Sequence, residues 1–172
     1  MLTYPPVSTE PTIPRPSQLW KQLTPERKIQ AADAFWRDEN AAMEQAEAVA
    51  SIAQRLKFRP KSAMALPAEK KSRYLATMPN VSELVAARLL VAYHLDHQRA
   101  MMGAFLDALG IAHENGLIAE DATPQPDAEK LKSAAATLRE SFSAEEVKLY
   151  FSTLILQDSE TWGGLLEELK AS

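Results

Sequence analysis

The sequence predicts an all-α fold: an irregular multi-helix bundle of about six or seven helices around a long central helix at residues 81–109, preceded by a proline-rich N-terminal arm. Three observations carry this reading. Between Asn80 and Gly110 there is no proline, and Leu84 to Leu95 is apolar nearly all the way round, interrupted mainly by Arg88 and His94. A helix of that kind has neighbours on most sides. Five of the 11 prolines fall in the first sixteen residues and Gly numbers only 5, so the rest of the chain favours helices.

Residues 1–16 carry Pro5, Pro6, Pro11, Pro14 and Pro16 and are expected to form an extended arm outside the core. Pro11-Thr12-Ile13-Pro14 has the PxxP form of a polyproline ligand, although a plain tail is the preferred reading. Residues 17–172 are read as one helical domain. Ser17 to Leu23 is expected to make a short helix burying Leu19, Trp20 and Leu23. Thr24-Pro25 then gives a hydroxyl cap followed by proline at the first helical position. Apolar residues recur at helical spacing from Ile29 to Leu56, either as one helix to about Phe58 or as two separated near Asp38-Glu39-Asn40, with Asn40 as the second cap. Arg59-Pro60 ends that pattern.

Pro67 to Thr77 is expected to form the next helix. Asn80-Val81-Ser82-Glu83 resembles a capping box at the start of the central helix, which Gly110 closes. Asn115-Gly116 predicts a short hairpin within Ile111 to Ile118. Two more helices, Asp127–Phe142 and Ser143–Asp158, follow, the second opened by Ser143-Ala144-Glu145-Glu146. A last helix carries Trp162, Leu165, Leu166 and Leu169. Three similar helix starts, at Thr24, Pro67 and Ser143, are unequally spaced and reflect shared capping chemistry, not a repeat.

Composition excludes several chemistries. With no cysteine there is no disulfide framework, thiolate metal site or cysteine nucleophile. The proline-rich start does not read as a secretory leader, and no apolar run is long enough for a bilayer span, so a cytoplasmic location without membrane contact is expected. A net charge of −4 disfavours indiscriminate nucleic-acid binding. Phosphate-binding loops, nucleophile elbows and zincin motifs are absent from the sequence.

That net charge conceals an asymmetry. Arg55, Lys57, Arg59, Lys61, Lys70, Lys71 and Arg73 stand against one acid, Glu69, so this window carries +6. Between Arg99 and Lys130 there is no basic residue apart from histidine, while Asp107, Glu114, Glu120, Asp121, Asp127 and Glu129 all occur. The basic window could grip an anion or a partner. Its aromatic residues, Phe58 and Tyr74, are expected to pack inward, which argues against nucleic acid. A solvated face opposite the acidic connector, within one chain or across a dimer, is the preferred reading.

A second candidate lies on the central helix. At about 100° per residue, Arg88, Asp96, Arg99, Gly103 and Asp107 form a solvent stripe, while His94, His97 and Met101 gather opposite with Glu83. Imidazoles three residues apart can share a metal or ligand. However, no carboxylate stands three residues before either histidine, Glu83 is about 16 Å along the axis from His94, and His113 is out of reach unless the helix breaks near Gly103. Interior histidines bonded to a neighbouring helix are the simpler expectation. No resident cofactor is expected, and a non-enzymatic role is preferred to a catalytic one. Two functions are carried forward: a helical interaction or scaffold protein that binds a protein partner or itself, through exposed apolar strips such as Trp162 with Leu165 and Leu166 or through its charge asymmetry; and a metal- or small-ligand-binding bundle at His94 and His97.

Overall fold

A computed structural model describes residues 14–170; the expected arm lies outside the described residues up to position 13. Among the described residues, eleven helical segments and one two-stranded hairpin follow one another. The helices are α1 (Pro16–Gln22), α2 (Pro25–Arg37), α3 (Ala42–Leu56), α4 (Pro60–Met64), α5 (Ala68–Thr77), α6 (Glu83–His97), α7 (Arg99–Leu109), α8 (Ala128–Ser141), α9 (Ala144–Gln157), α10 (Ser159–Trp162) and α11 (Leu165–Lys170). The hairpin pairs β1 (His113–Glu114) with β2 (Leu117–Ile118). No described helix is long and apolar enough to cross a membrane.

The largest departure from expectation is in the central helix. Residues 81–109 form two helices that meet at Gln98, whose backbone leaves helical geometry at φ −127°, ψ 25°. Neither glycine nor proline makes this break. The Gln98 amide nitrogen donates to the Glu146 carboxylate at 3.2 Å and to the Tyr93 hydroxyl at 3.3 Å, and Arg99 Nε donates to the Leu95 carbonyl at 2.8 Å. Side chains thus take up the polar contacts of a broken turn.

Each half then serves its own apolar cluster. Val85, Ala86, Leu89, Leu90 and Tyr93 of α6 pack with Leu19, Trp20, Phe35 and Leu75. Met101, Phe105 and Leu106 of α7 pack with Leu131, Leu138, Phe151 and Trp162. A third, smaller cluster joins α3 to α4 through Val49, Ile52, Ala53 and Ala63. A change of direction at Gln98 lets one nearly all-apolar stretch supply two cores. It also voids the single-helix phase behind the expected solvent stripe. Gly103 is buried, and Arg88 is half-buried beside Asp38 Oδ2 at 3.4 Å.

Several caps differ by one or two residues from expectation. Ser82, not Asn80, caps α6 by accepting from Val85 N–H at 3.2 Å. Glu83 is therefore the first residue of α6, and its carboxylate reaches α1, where it accepts the Ser17 N–H at 3.1 Å and the Ser17 hydroxyl. The chain from 25 to 58 is broken, and the second helix is preceded by Ala41 rather than capped by Asn40. The short α4 after Arg59-Pro60 was not expected. Thr24, Asp127 and Ser143 cap as the sequence implies, accepting from Arg27, Lys130 and Glu146 N–H. In the hairpin, Asn115 (φ 49°) and Gly116 (φ 88°) both adopt the positive φ that a tight type I′ turn requires.

Candidate functional site

His94 and His97 do not form a shared ligand set in this geometry. The His94 ring is 3% exposed. Its Nδ1–H donates to the Leu90 carbonyl at 2.8 Å, leaving Nε2 as an acceptor with no partner among the described residues. Tyr93 meets the ring edge-on at 5.4 Å and Tyr150 lies 5.5 Å away. Burial pushes this imidazole down to about 4, with the Leu90 contact opposing. His97 is exposed. It stacks on Tyr93 at 5.6 Å, and its Nε2 sits 3.2 Å from Asp96 Oδ2, a carboxylate that also accepts from Arg37 at 2.9 Å. Met101 is fully buried in the second core. Among the described residues there is no group of three or more potential metal ligands.

His113 has a defined structural role that sequence spacing did not give it. Nδ1 accepts the Gly116 N–H at 3.1 Å, so Nε2 carries the proton and donates to Asp107 Oδ1 at 2.7 Å. The ring covers Gly103, where an added Cβ would lie 3.3 Å from it. Arg99 also donates to the Asn115 carbonyl at 3.0 Å. Hairpin and α7 are thereby locked together.

The basic window is where the surface departs most from the reading of the sequence. Arg55, Lys57, Arg59, Lys61 and Lys70 are exposed on α3–α5 and make no ion pair among the described residues. Arg73 is paired with Glu69 at 3.3 Å. Lys71 turns inward, its Nζ 4.8 Å above the Trp36 ring and 3.4 Å from the Met64 carbonyl. Phe58 does not pack inward but is 44% exposed, and Met64 is 51% exposed. The cause is the end of α3. Lys57 adopts the left-handed conformation at φ 58°, and Phe58 N–H returns to the Ala53 carbonyl at 2.8 Å. This six-to-one closure ends the helix and turns the chain outward.

The acidic connector presents a comparable surface. Asp107, Glu114, Glu120, Asp121, Asp127 and Glu129 are all exposed. Leu117, 46% exposed, stands opposite Glu114 in the hairpin register. Since Glu114 faces water, its cross-strand partner must as well. That signal was present in the sequence, because the Asn-Gly turn fixes the register. By contrast, the expected exposed strip at Trp162 and Leu165 is core: Trp162 is 3% exposed and Leu165 is fully buried.

No ion pair among the described residues joins the basic segment 55–73 to the acidic segment 107–129. A groove of about 350 Å³ lies where α1 and the α1–α2 turn approach α9, lined by Leu19, Leu23, Arg27, Glu145, Lys148 and Leu149. His94 and His97 line neither this groove nor the clefts of about 210 and 130 Å³ near the hairpin and α8. Comparison with protein-family models, curated proteins and solved structures finds no match to this chain.

Proposed function

We propose that this chain is a non-catalytic helical interaction protein whose α3–α5 surface docks an acidic protein partner. The observation that carries this reading is the exposure of Phe58 and Met64 among five unpaired cations. Apolar side chains supply contact area, and the surrounding charges select and steer a negatively charged partner. Asp96, His97, His113 and Glu146 are engaged in ion pairs and hydrogen bonds within the fold, which favours binding over catalysis.

A fluorescently labelled peptide alternating Glu with Leu tests the reading. It should bind, and Phe58→Ser with Met64→Ser should weaken binding about tenfold, the scale of losing two buried apolar contacts. Binding of the peptide unchanged in the double variant would overturn the proposal. So would a preference for phosphatidylserine vesicles or single-stranded DNA over the peptide.

The second reading, a metal- or small-ligand-binding bundle at His94 and His97, has one supporting observation: the unpartnered Nε2 of His94. Thermal stability in Zn²⁺, Fe²⁺ or Ni²⁺ checks it, since a ligand specific to the folded state raises the melting temperature. No rise would remove it.

A further inference from the structure

We infer that the acidic partner of the α3–α5 surface is a second copy of this chain, presented by its hairpin end. This deepens the proposed function and rests on it. Five large apolar side chains are exposed among the described residues: Met43, Phe58, Met64, Leu84 and Leu117. Three of these, Phe58, Met64 and Leu117, lie inside the two oppositely charged segments. The basic surface thus carries an apolar centre with a cationic rim, and the hairpin end carries an apolar tip among carboxylates. Such surfaces match both in sign and in where each is apolar.

Separation within the monomer supplies the second argument. The basic segment is anchored on α2 and α3 and the acidic one on α7 and α8, with no ion pair between them among the described residues. Neither surface is therefore paired with the other among the described residues. In the acidic segment, both ring nitrogens of His113 are taken up within the chain, by Gly116 N–H and by Asp107 Oδ1. Opposite faces meeting between copies pair both segments at once when two molecules lie antiparallel.

Charge reversal in pairs provides the test, read by sedimentation velocity at low salt. The wild-type chain should self-associate, and about 0.5 M salt should weaken that association about tenfold, as expected when exposed charges steer the contact. Lys61→Glu with Lys70→Glu, and separately Glu120→Lys with Asp121→Lys, should each give monomers. Mixing the two variants should restore association, because each then offers the other a complementary pair of faces. Circular dichroism checks that both variants remain helical. When the first variant carries a fluorescent label and is mixed with Glu26→Lys, Glu160→Lys, which lie outside both segments, the labelled chain should stay monomeric while the control associates only with itself.

A monomeric wild type, self-association unchanged in either variant, a mixture that stays monomeric, or equal rescue by the control pair would each overturn the inference. A monomer that still binds the Glu/Leu peptide in a Phe58-dependent way refutes only the second copy as partner. Loss of both behaviours refutes the docking surface itself.

Discussion

The side chain of Gln98, at the break between α6 and α7, donates to the Glu146 carboxylate of α9 at 3.2 Å. Glu146 also accepts from Tyr93 at 3.0 Å and Arg27 Nε at 2.7 Å. One largely buried carboxylate therefore ties α2, α6 and α9 to the point where the chain passes from the first core to the second. Arg27 has a further partner, Glu145 at 3.3 Å, but that carboxylate is exposed.

This contrast yields a prediction. Glu146→Ala leaves three donors without their shared acceptor and should cost about 2 kcal/mol in urea denaturation. Glu145→Ala should cost less than about 0.5 kcal/mol, the usual worth of an exposed pair. Equal effects would mean that the Gln98 junction is not held in this way.

Gly116 makes a second prediction. At φ 88° an added Cβ would lie 2.9 Å from Met102 Cβ and 3.1 Å from the Arg99 carbonyl oxygen. Gly116→Ala should therefore destabilise the chain by about 2 kcal/mol, combining left-handed strain with a clash against α7. A melting temperature unchanged from wild type would contradict the hairpin's docking.

Acid sensitivity follows from His94. Its folded-state value is depressed to about 4 from an ordinary 6.5, so between those values the unfolded chain binds more protons than the folded one. Its effect on stability is absent above about pH 6.5 and grows as pH falls towards 4, reaching a loss of about 3 kcal/mol. Glu83 is held below its ordinary 4.5 by the Ser17 hydroxyl, so stability from that contact is lost only at lower pH. Denaturation of His94→Phe at pH 7 and pH 4.5 separates the two. The variant should lose less stability than wild type on acidification, and an identical loss would contradict a neutral buried imidazole.

Trp162 and Phe58 exchange the roles that sequence alone assigned them. Trp162→Ala should cost about 3 kcal/mol or more, because the indole lies among Phe105, Leu131 and Phe151 in the second core. Phe58→Ser should change stability by less than about 0.5 kcal/mol. Denaturant midpoints of the two variants give the comparison directly.

How much could be read in advance follows from what each signal depends on. Capping at Thr24, Asp127 and Ser143, the Asn115-Gly116 turn and the all-helical class are local, so sequence displays them. The break at Gln98 is not local. It depends on Glu146, far along the chain, and no glycine or proline marks it. A nearly all-apolar α6 has no preferred face, so periodicity could not reveal that α6 and α7 serve different cores. Burial of His94 was legible as an interior histidine, but its unpaired Nε2 was not. The exposure of Phe58 depends on Lys57 ending α3 in a left-handed turn, a position where glycine would have given the signal and lysine hides it.

The Phe58–Met64 surface is proposed to dock a second copy of this chain. Methyl-labelled methionine observed by NMR during serial dilution at low salt tests it most directly. The Met64 methyl should shift with concentration, while the buried Met101 methyl should not. A Met64 resonance constant across the series, or shifts spread equally to Met101, would contradict it.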